Sequence, residues 1–453
     1  MRYLFGLILI LLLLACGAWF VAGRQAPPGI QIGKPDKFVG MSTPLDVTVD
    51  APGGKLASLD IVLEQNGKQV PLYSLGQATA EMKQDGPDKL HVTRDVGKGA
   101  VPELQTGAAK ITVTAGRKVL YGMRTLTSSA SKDVQVRLER PRVAVLSNFH
   151  YINLGGSEMI VYTATPSDVE SGVMVGDIEY RGFPAAGAKG IPGFNIKDPN
   201  ARIAFFALRF DQDLNTPMRL FARDEAGNTA TANFDFKVFP KKFKNSRIEV
   251  SQALLDQVVP TILQGTTEIK PTGEPIDQFV AVNSELRKKN NAKIASMAQQ
   301  TSPDILWGGN VFHPFGNNAI ESAFADYRTY VYNGKEVDQQ VHLGFDLASF
   351  TNIPIVSANA GKVLFADELG IYGNCVIIDH GMGVQSLYAH LSSFDVKAGD
   401  MVQKEQQVGR SGRTGMALGD HLHFTMLVNG QMVNPVEWWD PHWIQDRILR
   451  KLR

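Results

Sequence analysis

Hydrophobic and polar positions follow three different rhythms along this chain. From Tyr3 to Gly23 there is no charged residue, and Arg2 and Arg24 bracket the run. Coiled as a helix, that run spans about 31 Å, enough to cross a bilayer core, so it predicts a membrane anchor over residues 1–25. Beyond it the pattern is one of short strands divided by turn signals. Leu45-Asp46-Val47-Thr48-Val49 alternates with period two, Lys110 to Ala115 reads as a further strand, and Gln65-Asn66-Gly67-Lys68 supplies a hairpin turn. A second such region contains Met159 to Thr163 and Ala204 to Leu208 and closes on the acidic Gly-Asn turn at Asp224 to Asn228. The strand spacing fits two β-sandwich, Ig-like modules, residues 26–137 and 138–245, with one larger β domain as the alternative.

From residue 246 the period changes to that of a helix. Ser251 is placed to cap a short helix carrying Leu254, Leu255, Val258 and Val259 and ended by Pro260. Asp277 is placed to cap a longer one with Phe279, Val282, Leu286, Ile294 and Met297 near helical spacing. Arg287-Lys288-Lys289-Asn290-Asn291 falls mostly on the other side and reads as a solvated face. Residues 246–301 are therefore expected to be a helical linker. The strand pattern returns after about residue 339, inside a C-terminal domain expected over 302–440. A basic amphipathic tail, 441–453, is expected to dock on its own domain.

Composition narrows the classes. With 44% hydrophobic and 20% charged residues in 453, the chain buries cores and is not a disordered protein. Its 46 Lys+Arg against 45 Asp+Glu argue against a nucleic-acid partner. Two cysteines exclude a disulfide scaffold. Leu13-Leu14-Ala15-Cys16 resembles a lipobox, but apolar residues continue past Cys16 through Ala22. An uncleaved anchor in the cytoplasmic (inner) membrane is thus expected over a lipidated Cys16 or a cleaved signal, with the bulk in the periplasm or envelope. Cys375, in an apolar stretch, is expected in a core.

The nine histidines are crowded: His342, His380, His390, His421, His423 and His442 all lie in the last quarter. Three patterns stand out: His342-Leu343-Gly344-Phe345-Asp346, Tyr388-Ala389-His390-Leu391 and His421-Leu422-His423-Phe424. On a strand His421 and His423 project to one face, which suits a metal ion. His342 and Asp346 would be about 13 Å apart on a straight strand, so the chain must bend between them, and Gly344 permits a bend. Two imidazoles and a carboxylate suit a catalytic zinc site with an open position, and cysteines for a structural one are lacking.

These elements, in this order, resemble the lysostaphin-type peptidoglycan endopeptidases, zinc metallopeptidases with H-x-x-x-D, Y-x-H-L and H-x-H elements. The resemblance covers roughly residues 339–437 and includes the surrounding glycine-rich turns. It implies an antiparallel β peptidase domain in a mainly β chain. It implies that His342, Asp346 and His423 hold one Zn²⁺ and that His390 and His421 are catalytic; Asn310 and Tyr388 are further candidates to line the site and bind substrate. Thr425 stands where many relatives carry a glutamate. The implied function is hydrolysis of peptide bonds in peptidoglycan cross-links or stem peptides, with an envelope protein as a possible regulator. The alternatives are a non-enzymatic activator of cell-wall amidases, whose members lose metal residues that this chain keeps, and a metallopeptidase of protein substrates. His313, His380 and His442 are expected to be structural, and Arg328 to brace its strand.

Overall fold

The computed structural model describes residues 2–453 apart from 52–55, 77–80, 87, 315, 317, 318 and 349. The described chain is mainly β and divides into two compact units. Residues up to Pro141 with Arg223–Thr229 form one, and Arg142–Ala222 with Ala230–Arg453 form the other.

The first unit opens with helix α1 (Arg2–Gly23), at the place expected for the anchor. Its side chains from Phe5 to Val21 are exposed. Among the described residues no helix is long and apolar enough to cross a membrane. The rest of the unit is a four-stranded and a five-stranded sheet. Period-two patterning gives each sheet one apolar face, so Leu45, Val47 and Val49 from one meet Leu59, Ile61 and Val113 from the other in a single core. Asn66 and Gly67 both adopt positive φ, at 53° and 76°, and close the expected hairpin with Gln65 opposite Lys68.

In the second unit, the β region after Pro141 and the C-terminal domain share a core. Phe205 packs on Trp438 with ring centroids 6.0 Å apart, and Trp438 donates from Nε1 to Ser157 Oγ at 3.1 Å. The tail closes the same seam. Ile444, Ile448 and Leu452 are buried, and Lys451 Nζ donates to the fully buried Glu158 at 2.8 Å. This matches the expectation of a docked tail, with the region after Pro141 included in its seat.

Glu437 is the other polar tie across this seam. It accepts hydrogen bonds from Asn153 Nδ2 at 2.7 Å and from the Ser157 amide at 2.8 Å. Burial nevertheless pushes its pKa up from 4.5 to about 7. An acid held above its unfolded pKa is favoured in its protonated form by the fold. Its contribution is therefore fully present below about pH 4.5 and is lost as pH rises through about 7. Glu437→Gln, with Asn153 turning its amide over, should shrink the loss of stability between pH 5 and pH 8 by up to about 3 kcal/mol, read as melting temperatures at the two pH values.

The helical segment does not hang free between domains. Asn245–Glu249 pairs in parallel with a C-terminal strand, and the helices α2 (Val259–Gly265), α3 (Pro275–Ala281) and α4 (Arg287–Ser296) follow. Phe279, Val282, Leu286 and Ile294 bury their apolar stripe against Cys375, Ile377, Leu387 and Leu427 of the C-terminal sheet. Ser251 Oγ accepts from the Leu254 amide, as expected of a cap. The second cap is Glu274, with Asp277 answering it from the third helical position. Pro260 does not end its helix. A π-helical turn, Leu254–Val258, runs into α2, and Pro260 lies at the second residue of α2 inside that continuous helix.

The C-terminal strands are β1 (Ala319–Ser322), β2 (Asp326–Tyr332), β3 (Lys335–His342), β4 (Phe345–Ala348), β5 (Gly361–Glu368), β6 (Asn374–Gly381), β7 (Val384–Leu391), β8 (Met401–Val402) and β9 (Leu422–Val428). The main sheet runs β1-β4-β9-β7-β6-β5-β8 with antiparallel neighbours. One face packs on the helical segment. The sheet also sets β4 beside β9 and β9 beside β7, which brings Asp346, His423 and His390 together.

Candidate metal centre

Register assembles the site. Asp346 of β4 lies directly opposite His423 of β9, and Ala389 of β7 lies opposite the other side of His423. His342 ends β3, and the chain turns through Leu343 and Gly344 before β4 begins. The turn replaces the straight-strand separation with contact, so His342 Nε2 lies 2.9 Å from Asp346 Oδ1. His423 Nδ1 lies 2.9 Å from His342 Nε2 and 3.0 Å from Asp346 Oδ1. His342, Asp346 and His423 form a group able to hold a metal ion.

The hydrogen-bond partners decide the tautomers. His342 Nδ1 faces the Ala323 carbonyl at 3.1 Å, and a carbonyl only accepts, so Nδ1 carries the proton. Thr425 Oγ1 donates to the Leu343 carbonyl at 2.7 Å and therefore accepts from His423 Nε2, 3.1 Å away. The two nitrogens that face each other thus carry lone pairs and no proton. With Asp346 Oδ1 they make three acceptors converging on one point, an arrangement that a cation resolves. Ligand atoms about 2.0–2.1 Å from a tetrahedral ion would stand roughly 3.3 Å apart, close to the spacing found. The residues present fit a metal ion.

Where no cation is bound, an imidazole proton takes its place beside Asp346. Burial alone would raise the pKa of Asp346, but the imidazoles of His342, His421 and His423 hold it well below the usual carboxylate value. Burial brings His423 down to about 4, so it is neutral and free to ligate. Arg328 Nη2 donates to Asp346 Oδ2 at 3.2 Å and to Ser322 Oγ at 2.7 Å. Its bracing role therefore falls on the carboxylate of the site. Thr425 holds the His423 ring from behind, the work of an outer-sphere partner. Thr425→Val keeps the shape and removes that acceptor. It should weaken metal binding about 10- to 100-fold in competition with a chelator of known affinity.

His390 and His421 stand beside the group, with ring centroids 4.9 Å apart. His390 Nδ1 donates to the Thr414 carbonyl at 2.8 Å and His421 Nδ1 to the Gly419 carbonyl at 3.0 Å. In their neutral forms both therefore present an unprotonated Nε2. Burial, then the neighbouring His421 and His423, keeps the pKa of His390 well below the ordinary imidazole value. Burial works the same way on His421, but Asp346, with Oδ1 3.6 Å from Nε2, outweighs it and raises the pKa.

Two expected substrate residues are not brought to this groove. Tyr388 is fully buried and meets Phe424 edge to face, and its hydroxyl accepts from the Ala358 amide at 2.7 Å. A β-bulge between Tyr388 and Leu391, with His390 at φ 62°, turns His390 to the groove and leaves Tyr388 in the core. Asn310 is an exposed loop residue whose carbonyl accepts from Asn359 Nδ2. His380 is buried between the Ala360 carbonyl and Ser386 Oγ, a structural role as expected. Cys375 is buried in the core, also as expected. The helical segment supplies lining that the pattern did not foretell: Arg287, Asn291 and Leu254 share the groove with His342, Asp346 and Tyr372. The run from Arg287 to Asn291 is therefore not wholly a solvated face. Asn290 Oδ1 accepts from the Ile371 amide, and Asn291 Oδ1 accepts from the Tyr372 hydroxyl.

The three ligand atoms and the imidazoles of His390 and His421 line one open groove, an arrangement suited to metal-assisted hydrolysis. Residues 340–435 match Peptidase family M23, and this C-terminal segment is a domain of that lysostaphin-type family. The chain is 41% identical over 97 residues to a DD-carboxypeptidase/endopeptidase Mpg of Neisseria meningitidis, covering 21% of this chain and 22% of that protein. It is 28% identical over 199 residues to the peptidoglycan DD-endopeptidase ShyA of Vibrio cholerae, covering 43% of each. The chain thus spans less than half the length of these curated relatives. Among solved structures, a putative peptidase M23 from Pseudomonas aeruginosa aligns over 62% of this chain and 92% of its own, at 19% identity and TM-score 0.37. The catalytic domain of lysostaphin from Staphylococcus simulans aligns over 26% and 90%, at 28% identity and TM-score 0.24.

Proposed function

We propose that this chain is a zinc-dependent endopeptidase that hydrolyses peptide bonds in peptidoglycan cross-links or stem peptides. The observation that carries this reading is the convergence of His342 Nε2, Asp346 Oδ1 and His423 Nδ1, each held bare by its own partners. Two imidazoles and one carboxylate are a donor set of catalytic zinc sites. When bound, the ion supplies a Lewis acid that polarises a peptide carbonyl and makes water a better nucleophile. The chain's own residues do the rest. His390 and His421 each present Nε2 to the groove, where they accept a proton from attacking water and return it to the leaving amine. Arg328 and Thr425 hold the ligands in place while charge develops.

The substrate assignment draws on the relatives named for peptidoglycan DD-endopeptidase activity. The intact donor set favours an enzyme over a regulator of cell-wall amidases. We place the chain in the cytoplasmic membrane through α1, with the body in the periplasm or envelope; the uncharged run from Tyr3 to Gly23 supports this. Digestion of purified sacculi tests the function. Mass spectrometry of the released fragments should find cleaved peptides on intact glycan strands. Fragments with cut glycan and uncut peptide would refute it.

A further inference from the structure

Arg287 comes from outside the family segment, and its guanidinium is fixed before any substrate arrives. It begins α4, directly after a π-helical turn, Val282–Leu286. Such turns are rare and are often found at functional sites, because they re-aim the residues that follow. Arg287 Nε donates to the Asn283 carbonyl at 2.9 Å, and Nη2 donates to Asn283 Oδ1. Asn283 is itself locked, since its Nδ2 donates to Asp338 Oδ2 at 2.7 Å. The remaining contact is Met416 sulfur at 3.7 Å from Nη2. The three acceptors on Arg287 are all uncharged. The side chain is half-buried and lines the groove that also holds His342, Asp346, His390 and His423. The other arginine of the groove, Arg328, is engaged by Asp346 and is not available to a ligand.

We propose that Arg287 is a specificity-determining residue that binds a free carboxylate of the substrate peptide near the scissile bond. This rests on the peptidase reading given above and names the chemistry its substrate must carry. A pre-set guanidinium loses little freedom on pairing with a carboxylate and can offer it two parallel N–H groups. Peptidoglycan peptides bear such carboxylates, as free α-carboxyl or side-chain groups. A substrate in which they are amidated would leave the cation in the groove unpaired.

The test uses the full chain loaded with zinc and cross-linked muropeptide dimers, in the free-acid form and after carbodiimide amidation. The wild-type chain should cleave the free acid about 10- to 100-fold faster in kcat/KM than the amide, as expected for a hydrogen bond to a charged group. Arg287→Ala should lose that preference and cleave the two dimers at similar rates, a change of ratio that damage to the fold would not by itself produce. Arg287→Lys should recover part of the preference. Equal cleavage of both dimers by the wild-type chain, or a preference that survives in Arg287→Ala, overturns the assignment and leaves the peptidase reading standing. Cleavage of neither dimer overturns the peptidase reading instead. Calorimetric binding of the two dimers to Asp346→Asn with and without Arg287→Ala then decides on Arg287. Tighter binding of the free acid that needs Arg287 supports the assignment, and equal binding overturns it.

Discussion

Asp346→Asn is expected to abolish metal-dependent hydrolysis while leaving the fold intact. Asp346 Oδ1 is the point on which His342, His423 and His421 converge, at 2.9, 3.0 and 3.6 Å. Its other oxygen accepts from Arg328. Asparagine keeps the shape but removes the charge that these imidazoles and the guanidinium face. It also brings an amide N–H₂ towards Arg328 or towards the ligand nitrogens, whichever way it turns. A site of two neutral imidazoles and an amide holds a divalent cation poorly. The expected fall in kcat/KM is at least about 1000-fold, a barrier increase of roughly 4 kcal/mol. Metal content of the purified variant should fall well below one ion per chain. Asp346→Asn with full metal content and wild-type turnover would remove this carboxylate from the site.

Gly344→Ala is expected to do nearly as much damage with a single methyl group. A Cβ on Gly344 would stand 2.5 Å from both Cε1 and Nε2 of His423. It would also collide with Thr425 Oγ1, the atom that fixes the tautomer of that ring. The ring cannot retreat without leaving Asp346 and His342. A displacement of about 1 Å in a catalytic constellation costs on the order of 100-fold in rate. The variant should fold, as read by circular dichroism, and lose both zinc affinity and sacculus digestion. The requirement for glycine here is one of close approach, since Gly344 is not among the positive-φ glycines. The bend expected at Gly344 is present, and the close approach of His423 and Thr425 adds a need for glycine that the residue pattern alone does not show.

The five polar residues of the centre were legible because such a site needs particular residue types in a particular order, and strand parity put His421 and His423 on one face. Parity is also why Tyr388 misled. On a regular strand Tyr388 and His390 share a face, and only the bulge between Tyr388 and Leu391 separates them. A bulge of this kind has no clear signature in Tyr388-Ala389-His390-Leu391. The helical segment shows a second limit. Its apolar stripe was readable from Phe279, Val282, Leu286 and Ile294, and that stripe is buried. Nothing in the pattern says that the polar side would meet the 370–372 turn through Asn290 and Asn291 and so form one wall of the groove. The union of the region after Pro141 with the C-terminal domain was hidden for a similar reason. It depends on single contacts far apart in the chain, such as Glu437 to Ser157 and Lys451 to Glu158.

The most direct test of a metal-dependent peptidase is muropeptide release from purified sacculi by the full chain, before chelation, after chelation and after zinc is restored. The geometry of His342, Asp346 and His423 predicts release that stops on chelation and returns when about one zinc per chain is bound. Undiminished release by a chain shown to contain no metal would contradict it.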